Sequence, residues 1–462
     1  MSENISGYRH SGDIEIRAAH LITSAGQTID ISVMIEEMSV YQDIDNHFLE
    51  CDIIIQDSLN LFGVIPPNKI DKIQGGFDGF EYFLVSFKNR TDRSIGESWK
   101  DYNNHIFQMY TVNDRFKVGE GREVISLSGV SIEFFPAMLN KLSRSVGKGG
   151  GKLVSEMIEN IVDEYLYSTT IKNIYGAIQN DLNFKVEKSA EYDKTSGEHK
   201  FVIPNLTVDD SIEFLLSESD STDHIPNYRF YEDSNGFKFK NISTLVKNDS
   251  KGIWTYDMFN KEIKSDDAAK SSDPYKILSY NVIKQLDSRE NMLDGLYRQS
   301  TLNVDFHKKN SYQTDYTYDK YKEKFIKLQN SHFYGNSEGT PVLTMTTTRV
   351  GHESTHGTFA SEKHLPKCVN EIQAVRSAYD KIMFNTVMDI QIPGTDHLNV
   401  GDVIEIHIPL TTGMGSDIDS GGLDKYLSGK YLISKIRHKI TGGITGSPYA
   451  SILRISKDTS II

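Results

Sequence analysis

The chain has 462 residues, enough for two to four domains, and its 38% hydrophobic and 25% charged residues are the proportions of a soluble globular protein. Fifty Lys and Arg against 64 Asp and Glu leave a net charge of −14, which speaks against a general nucleic-acid binder, because phosphate affinity is driven by clustered cations. Two cysteines, Cys51 and Cys368, are too few for a disulfide framework, no 18 apolar residues run together to suggest membrane insertion, and MSENISGYRHSGDIEIR lacks the apolar core of a secretory leader, so synthesis in the cytoplasm with both thiols reduced is expected.

From Asp13 to about Gly129 the pattern is almost all strand: DIEIR, TIDISVMIE, CDIIIQ, FEYFLVSFK, HIFQMYTV and EVISLSG, with Gly, Asn, Asp and Pro between them. Short alternating runs separated by turn residues predict a closed or nearly closed antiparallel barrel over residues 1–130. A middle α+β domain is expected over 131–274. Leu139 and Leu142 suggest a short helix, Gly147–Lys152 a flexible break, and Leu153, Met157, Ile158, Ile161, Val162, Tyr165 and Leu166 an amphipathic helix over 152–167. Thr207 can cap a second helix over 209–217, where Asp209 and Asp210 suit the positive end of the dipole. Tyr228, Phe230, Phe237 and Phe239 then alternate around the turn Asp233-Ser234-Asn235-Gly236, which predicts a hairpin with positive φ at Gly236.

Residues 275–462 read as a second β domain, with a polar, poorly patterned insertion near 308–381 and an acidic loop between Gly413 and Gly422. Turns at Pro393-Gly394 and Val400-Gly401-Asp402 separate period-two strands, and Tyr431, Leu432, Ile433 and Ile436 face Ile452, Leu453 and Ile455 across a final hairpin. The pattern of 105–127 recurs at 430–455, a hint of two similar barrels, one at each end of the chain.

Chemical motifs are weak. His352-Glu353-Ser354-Thr355-His356 matches the H-E-x-x-H zinc-protease pattern, whose chemistry needs a helix to put both imidazoles on one face. Three threonines precede it and Gly351 and Gly357 bracket it, so an exposed polar loop is expected. The Gly-rich run at 147–152 fails as a phosphate loop, since Leu153 stands where a magnesium-binding hydroxyl belongs. Pairs such as Asp209 with Asp210 and Asp417 with Asp419 read as a helix start and a solvated loop, and His438 as a residue packed or hydrogen-bonded in its strand. No catalytic residue, cofactor site or metal site is assigned.

Two stretches, VIPNLTVDDSIEFLLSESDSTDHIPNYRFYEDSNGFKFKNISTL and IPGTDHLNVGDVIEIHIP followed by LSGKYLISKIRHKI, resemble the baseplate hub proteins of contractile-tailed bacteriophages, relatives of the N-terminal part of the type VI secretion spike. The resemblance implies two tube-like barrels per subunit around the α+β middle domain. It further implies a homotrimer with six similar units, which joins the sixfold tail tube to a threefold central spike in the virion baseplate, beside tape-measure and wedge proteins. DNA would pass through its channel without specific binding. The alternatives are the equivalent hub of a secretion or injection machine and a metallopeptidase built on His352, Glu353 and His356.

Overall fold

The computed structural model describes residues 12–24, 26–58, 79–89, 102–119, 121–147, 151–182, 184, 186–223, 225–256, 274–305, 309–328, 341–347, 369–410, 422–442 and 445–458. The first strands are β1 (Asp13–Ile22), β2 (Thr28–Asp30), β3 (Ile35–Asp43), β4 (Glu50–Asp57), β5 (Tyr82–Asn89), β6 (Asn103–Gly119) and β7 (Arg122–Ser131). The middle region holds α1 (Phe134–Leu139), β8 (Lys141–Val146), α2 (Val154–Ile161) running into a π-helical turn (Val162–Leu166), α3 (Thr169–Leu182), β9 (Glu191–Tyr192) and β10 (Phe201–Thr207). It continues with α4 (Val208–Ser217), β11 (Tyr228–Asp233), β12 (Gly236–Asn241) and α5 (Ile242–Leu245). Then come β13 (Ile253–Tyr256), β14 (Lys276–Ile277), β15 (Ser279–Gln285), α6 (Ser288–Leu293), β16 (Arg298–Asp305), β17 (Asn310–Thr317), α7 (Tyr318–Tyr321), β18 (Val342–Thr347) and α8 (Val369–Met383). The chain closes with β19 (Thr386–Pro393), β20 (Val403–His407), β21 (Gly429–Thr441) and β22 (Thr445–Lys457).

A mixed sheet of 14 strands dominates, in the order β14-β13-β20-β21-β3-β4-β7-β6-β5-β1-β22-β19-β15, with β2 beside β1. Period-two burial builds it: Cys51, Ile53 and Ile55 of β4, and Met388, Ile390 and Ile392 of β19, point inward between more exposed neighbours. The long strands β21 and β22 also pair with each other, so β3, β4, β7, β6, β5, β1, β22 and β21 each have a partner on both sides. Along β21, residues up to Leu432 pair with β20, and residues from Lys435 pair with β3. Along β22, Ala450–Lys457 pair with β19, and Thr445 and Pro448 with β1. One hairpin therefore runs through both groups of strands. Apolar side chains fill the space inside each, Ile16, Leu21, Val40, Ile53, Phe83 and Leu127 in the first and Trp254, Ile390, Ile404, Tyr431 and Leu453 in the second.

Several sequence expectations change. TIDISVMIE is two strands, because Ser32 N donates to Asp30 Oδ1 at 2.9 Å and breaks the run with an Asx turn. Leu142 is no part of a helix: the backbone turns extended at Asn140, and Leu142 pairs with Leu206 in β8 and β10. The sheet is not wholly antiparallel. β13 lies parallel to β20 and β14, a pairing that needs a crossover, which the intervening chain supplies. The helix expected at 152–167 is α2 with its π turn, that expected at 209–217 is α4, and Thr207 Oγ1 caps α4 by accepting from Asp210 N at 3.0 Å. Gly236 has φ of 124°, and a Cβ there would stand 2.3 Å from Ser189 O.

Within 308–381 the described residues form β17, α7, β18 and α8, and β16, β17 and β18 make a separate three-stranded sheet. Their core is aromatic, with Tyr316, Tyr318, Tyr321, Phe325 and Tyr379 packed together. Arg376 of α8 is half-buried against the end of α4 and donates to Leu216 O at 2.9 Å, Ser219 O at 3.2 Å and Pro226 O at 2.9 Å. Its charged donors add to the bonds of the carbonyls at and beyond the α4 C-terminus, where Leu216 O also accepts from Ser219 N and Oγ. Arg376→Ala should destabilise the protein by about 2 kcal/mol, read as a lowered midpoint in urea, because buried carbonyls lose charged donors.

Deleting residues 427–462 should be far more damaging than loss of a terminal tail. It would remove both shared strands and open β3, β20, β1 and β19 along one edge. Insoluble protein is expected; a soluble fragment with a cooperative melt would contradict this topology.

Candidate functional site

The loop between β19 and β20, residues 394–402, is where the two strand groups are fastened. Asn89 N of β5 donates to Asp396 Oδ2 at 2.9 Å, Asn103 Nδ2 of β6 to Asp396 O at 3.3 Å, and Val400 N to Gln42 Oε1 of β3 at 3.3 Å. Gln42 Nε2 in turn donates to Ser234 Oγ at the β11–β12 turn at 2.9 Å, which brings the middle region to the same point. Gly401 has φ of 88°, with room for a Cβ denied by Tyr231 Oη at 2.6 Å. At Gly394 a Cβ would lie 2.1 Å from the Tyr449 ring. The Pro-Gly and Val-Gly-Asp signals thus mark close packing as well as turns.

Tyr449 is buried, and its hydroxyl donates to Thr395 O at 2.8 Å while standing 2.7 Å from His438 Nδ1. Since the hydroxyl proton goes to Thr395, His438 Nδ1 carries the proton, and its Nε2 faces the core without a partner. Phe87 packs between His438, His105 and Tyr449 with ring centroids 6.0–6.2 Å apart, and His105 Nε2 is likewise unpartnered. Burial lowers His105 to about 3 and His438 to about 4, so both are neutral at ordinary pH. His438 is a buried, hydrogen-bonded strand residue, as its pattern suggests.

A second buried cluster joins the middle region to the sheet. Lys188 Nζ lies 2.9 Å from Glu133 Oε1, behind β7, and 2.5 Å from Glu232 Oε1 of β11. Tyr175 Oη donates to Glu133 at 2.7 Å, and Glu232 Oε2 accepts from Leu49 N at 3.1 Å and from Ser131 Oγ. Burial pushes Glu232 up despite Lys188, while the two carboxylates hold Lys188 well above the usual lysine range against the effect of burial. Nearby, His47 in the β3–β4 turn binds Asp209 Oδ1 of α4 at 2.6 Å; burial acts downward, but the bonds to Asp209 and Glu213 raise it to about 9. Asp209 is therefore an anchor as well as a helix-start residue. Nothing in the sequence pattern pairs His47, Glu133 or Lys188 with their distant partners.

His352, Glu353 and His356 lie outside the described residues, as do Asp417, Asp419 and Cys368. Of the Gly-rich run, Gly147 takes φ of 80°, and Lys152 pairs through its backbone with His199, ahead of α2. Cys51 is buried in the first core. Among the described residues no group of three or more His, Cys, Asp or Glu could hold a metal ion, and no helix is long and apolar enough to cross a membrane.

Among the described residues, exposed apolar side chains gather at two places on the outer surface. Beyond Tyr110 the β6–β7 hairpin extends as an arm with Tyr110, Phe116 and Val118 at least half exposed. At one end of the sheet order, the segment of β15 and α6 exposes Leu278, Ile283, Leu286, Met292 and Leu293.

No protein-family model matches the chain, and no curated protein matches it. Solved structures resemble it at 9% identity. The tail protein from Neisseria meningitidis MC58 aligns with a TM-score of 0.48 over 96% of both chains. The 43 kDa tail protein of prophage MuSo2 from Shewanella oneidensis aligns at 0.48 over 97% of this chain and 100% of that one. The half-lidded Francisella PdpA–VgrG complex aligns at 0.44 over 96% of this chain and 58% of the matched one. Likeness of this degree assigns neither family nor activity.

Gly394→Ala should cost about 3 kcal/mol, because the Tyr449 ring cannot move without breaking its bonds to Thr395 and His438. The buried histidines set an acid limit. Unfolded, each takes up a proton as pH falls through about 6.5; folded, His438 does so only near 4 and His105 near 3. Their contribution is intact above pH 6.5 and is lost progressively as pH falls toward 4. His105→Phe, which keeps the ring stacked 5.7 Å from Phe107, should flatten the fall in melting midpoint between pH 6.5 and 4.

Proposed function

We propose that the chain is a structural hub of a contractile tail, in which three copies form a ring joining the tail tube to the central spike. The observation that carries this reading is the hairpin β21–β22, which is shared by two strand groups and fastened by the 394–402 loop. We read each group as a tube-like barrel. Two such units in each chain would give six in a trimer, the arithmetic needed to match a sixfold tube on one side and a threefold spike on the other.

The packed interiors of both groups bear on the channel. A path for DNA cannot run through a space filled by Ile53, Phe83, Leu127, Ile390 and Leu453, so it would lie on the axis between subunits. The acidic balance of −14 suits a lining that repels phosphate. The exposed arm and the β15–α6 face would serve contacts between copies or with tube, spike, tape-measure and wedge proteins. On this reading the protein works in the virion baseplate without catalysing a reaction. The hub of a secretion or injection machine would use the same construction.

Light scattering on the purified protein, alone and with its spike partner, tests the ring. A particle of three times the 52.3 kDa chain mass is expected. A monomer that persists with the spike present would overturn the proposal.

A further inference from the structure

The Lys188 cluster holds an amine and two carboxyl groups in contact inside the protein. The Lys188 side chain is 7% exposed, and those of Glu133 and Glu232 are fully buried. We propose that Lys188 and Glu232 condense into an amide, a covalent cross-link between the segment before β9 and strand β11, with Glu133 relaying the protons. This modification of the chain by itself does not depend on the hub reading.

Lys188 Nζ lies 2.5 Å from Glu232 Oε1, so the carboxyl carbon is one bond beyond the contact. Two reactants held at this range need no encounter, which removes much of a condensation barrier. The other oxygen, Glu232 Oε2, accepts from Ser131 Oγ and from Leu49 N at 3.1 Å, a backbone N–H shared with Ser131 Oγ at 3.0 Å. Donors on Oε2 stand where they stabilise a developing oxyanion, and they leave Oε1 to carry the acid proton. Burial pushes Glu232 above the usual carboxylate range and so favours the acid form, the form that can lose water. Glu133 meets the amine with both oxygens, at 2.9 and 3.0 Å, and Tyr175 Oη donates to it at 2.7 Å.

The step balances without a co-reactant. Burial acts to lower Lys188, but the carboxylates beside it keep the ammonium protonated at rest, so the amine first gives a proton to Glu133. Its freed lone pair attacks Cδ of Glu232, and negative charge moves onto Oε2. Glu133 passes the proton to Oε1, the Cδ–Oε1 bond breaks, and water leaves toward the adjoining cavity that Lys188 and Tyr175 line. The surplus proton on the nitrogen returns to Glu133, so an uncharged amide and an uncharged acid remain. Charges that are costly to hold in a low-dielectric interior are thereby replaced by a bond, which ties two positions 44 residues apart.

Mass measurement of the full chain under denaturing conditions, on fresh protein and on protein incubated in the folded state, tests the link. A mass below that of the sequence by one water, about 18 Da, is expected. Trypsin should then leave the chain uncut after Lys188 and release one branched peptide that joins Lys188 to Glu232. Lys188→Arg, which keeps the positive charge without a primary amine, should hold its full sequence mass, and Glu133→Gln should form the link at least about tenfold more slowly. Wild-type protein that stays at its sequence mass after incubation would overturn the proposal. So would a water loss that persists in Lys188→Arg or maps elsewhere, for instance to a succinimide at Asp294-Gly295.

Discussion

The fold depends on the pairing of β21 with β22. Between them these strands donate edges to β20, β3, β19 and β1 and to each other, so every strand of both groups is tied, directly or through a neighbour, to one hairpin. The change of partner falls at a bulge between Ile433 and Lys435, where the strand bends away from β20 toward β3. A bulge increases local twist and redirects a strand, which a regular ladder could not do within 13 residues. Around the bend, Ser434 O accepts from Ile44 N and Ile433 O from Gly401 N, so the gap between β20 and β3 is bridged by backbone bonds from both sides.

Side chains then lock what the backbone lays out. The ring of Tyr449 packs against Gly394, its hydroxyl bonds Thr395 O, and His438 Nδ1 stands beside that hydroxyl. This costs two imidazole nitrogens left without partners in the core, at His438 and His105. Such orphaned groups persist only where surrounding packing over-determines the arrangement. On the middle-region side the lock is ionic, Lys188 between Glu133 and Glu232. Buried ion pairs are poor sources of net stability but costly to break, so this one fixes orientation more than it adds strength.

Local structure was legible where local chemistry dictates it. The apolar alternation of Ile53 and Ile55, the cap at Thr207 and the positive φ at Gly236 follow from the residues themselves. Partnership was not legible. Nothing in DIEIR says that it meets β22, and the parallel placement of β13 depends on β20, a partner far downstream in the chain. The 308–381 segment looked unpatterned because its described core is built from tyrosines, whose hydroxyls make a buried face read as polar. The joint at 394–402 was visible as two turns, but its role rests on Asn89, Gln42 and Tyr449, each distant in sequence.

The same topology dictates an order of events during synthesis. The ion pair of Arg437 with Glu37 spans 400 residues, and β3 and β1 receive their last neighbours only when β21 and β22 emerge from the ribosome. Until then the early strands hold two unpaired edges, the configuration that invites pairing between nascent chains. Loop closure over such a distance makes folding slow in comparison with helix formation in the middle region. The net charge of −14 acts in this interval, because like charge opposes the approach of neighbouring unfinished chains while each waits for its final hairpin.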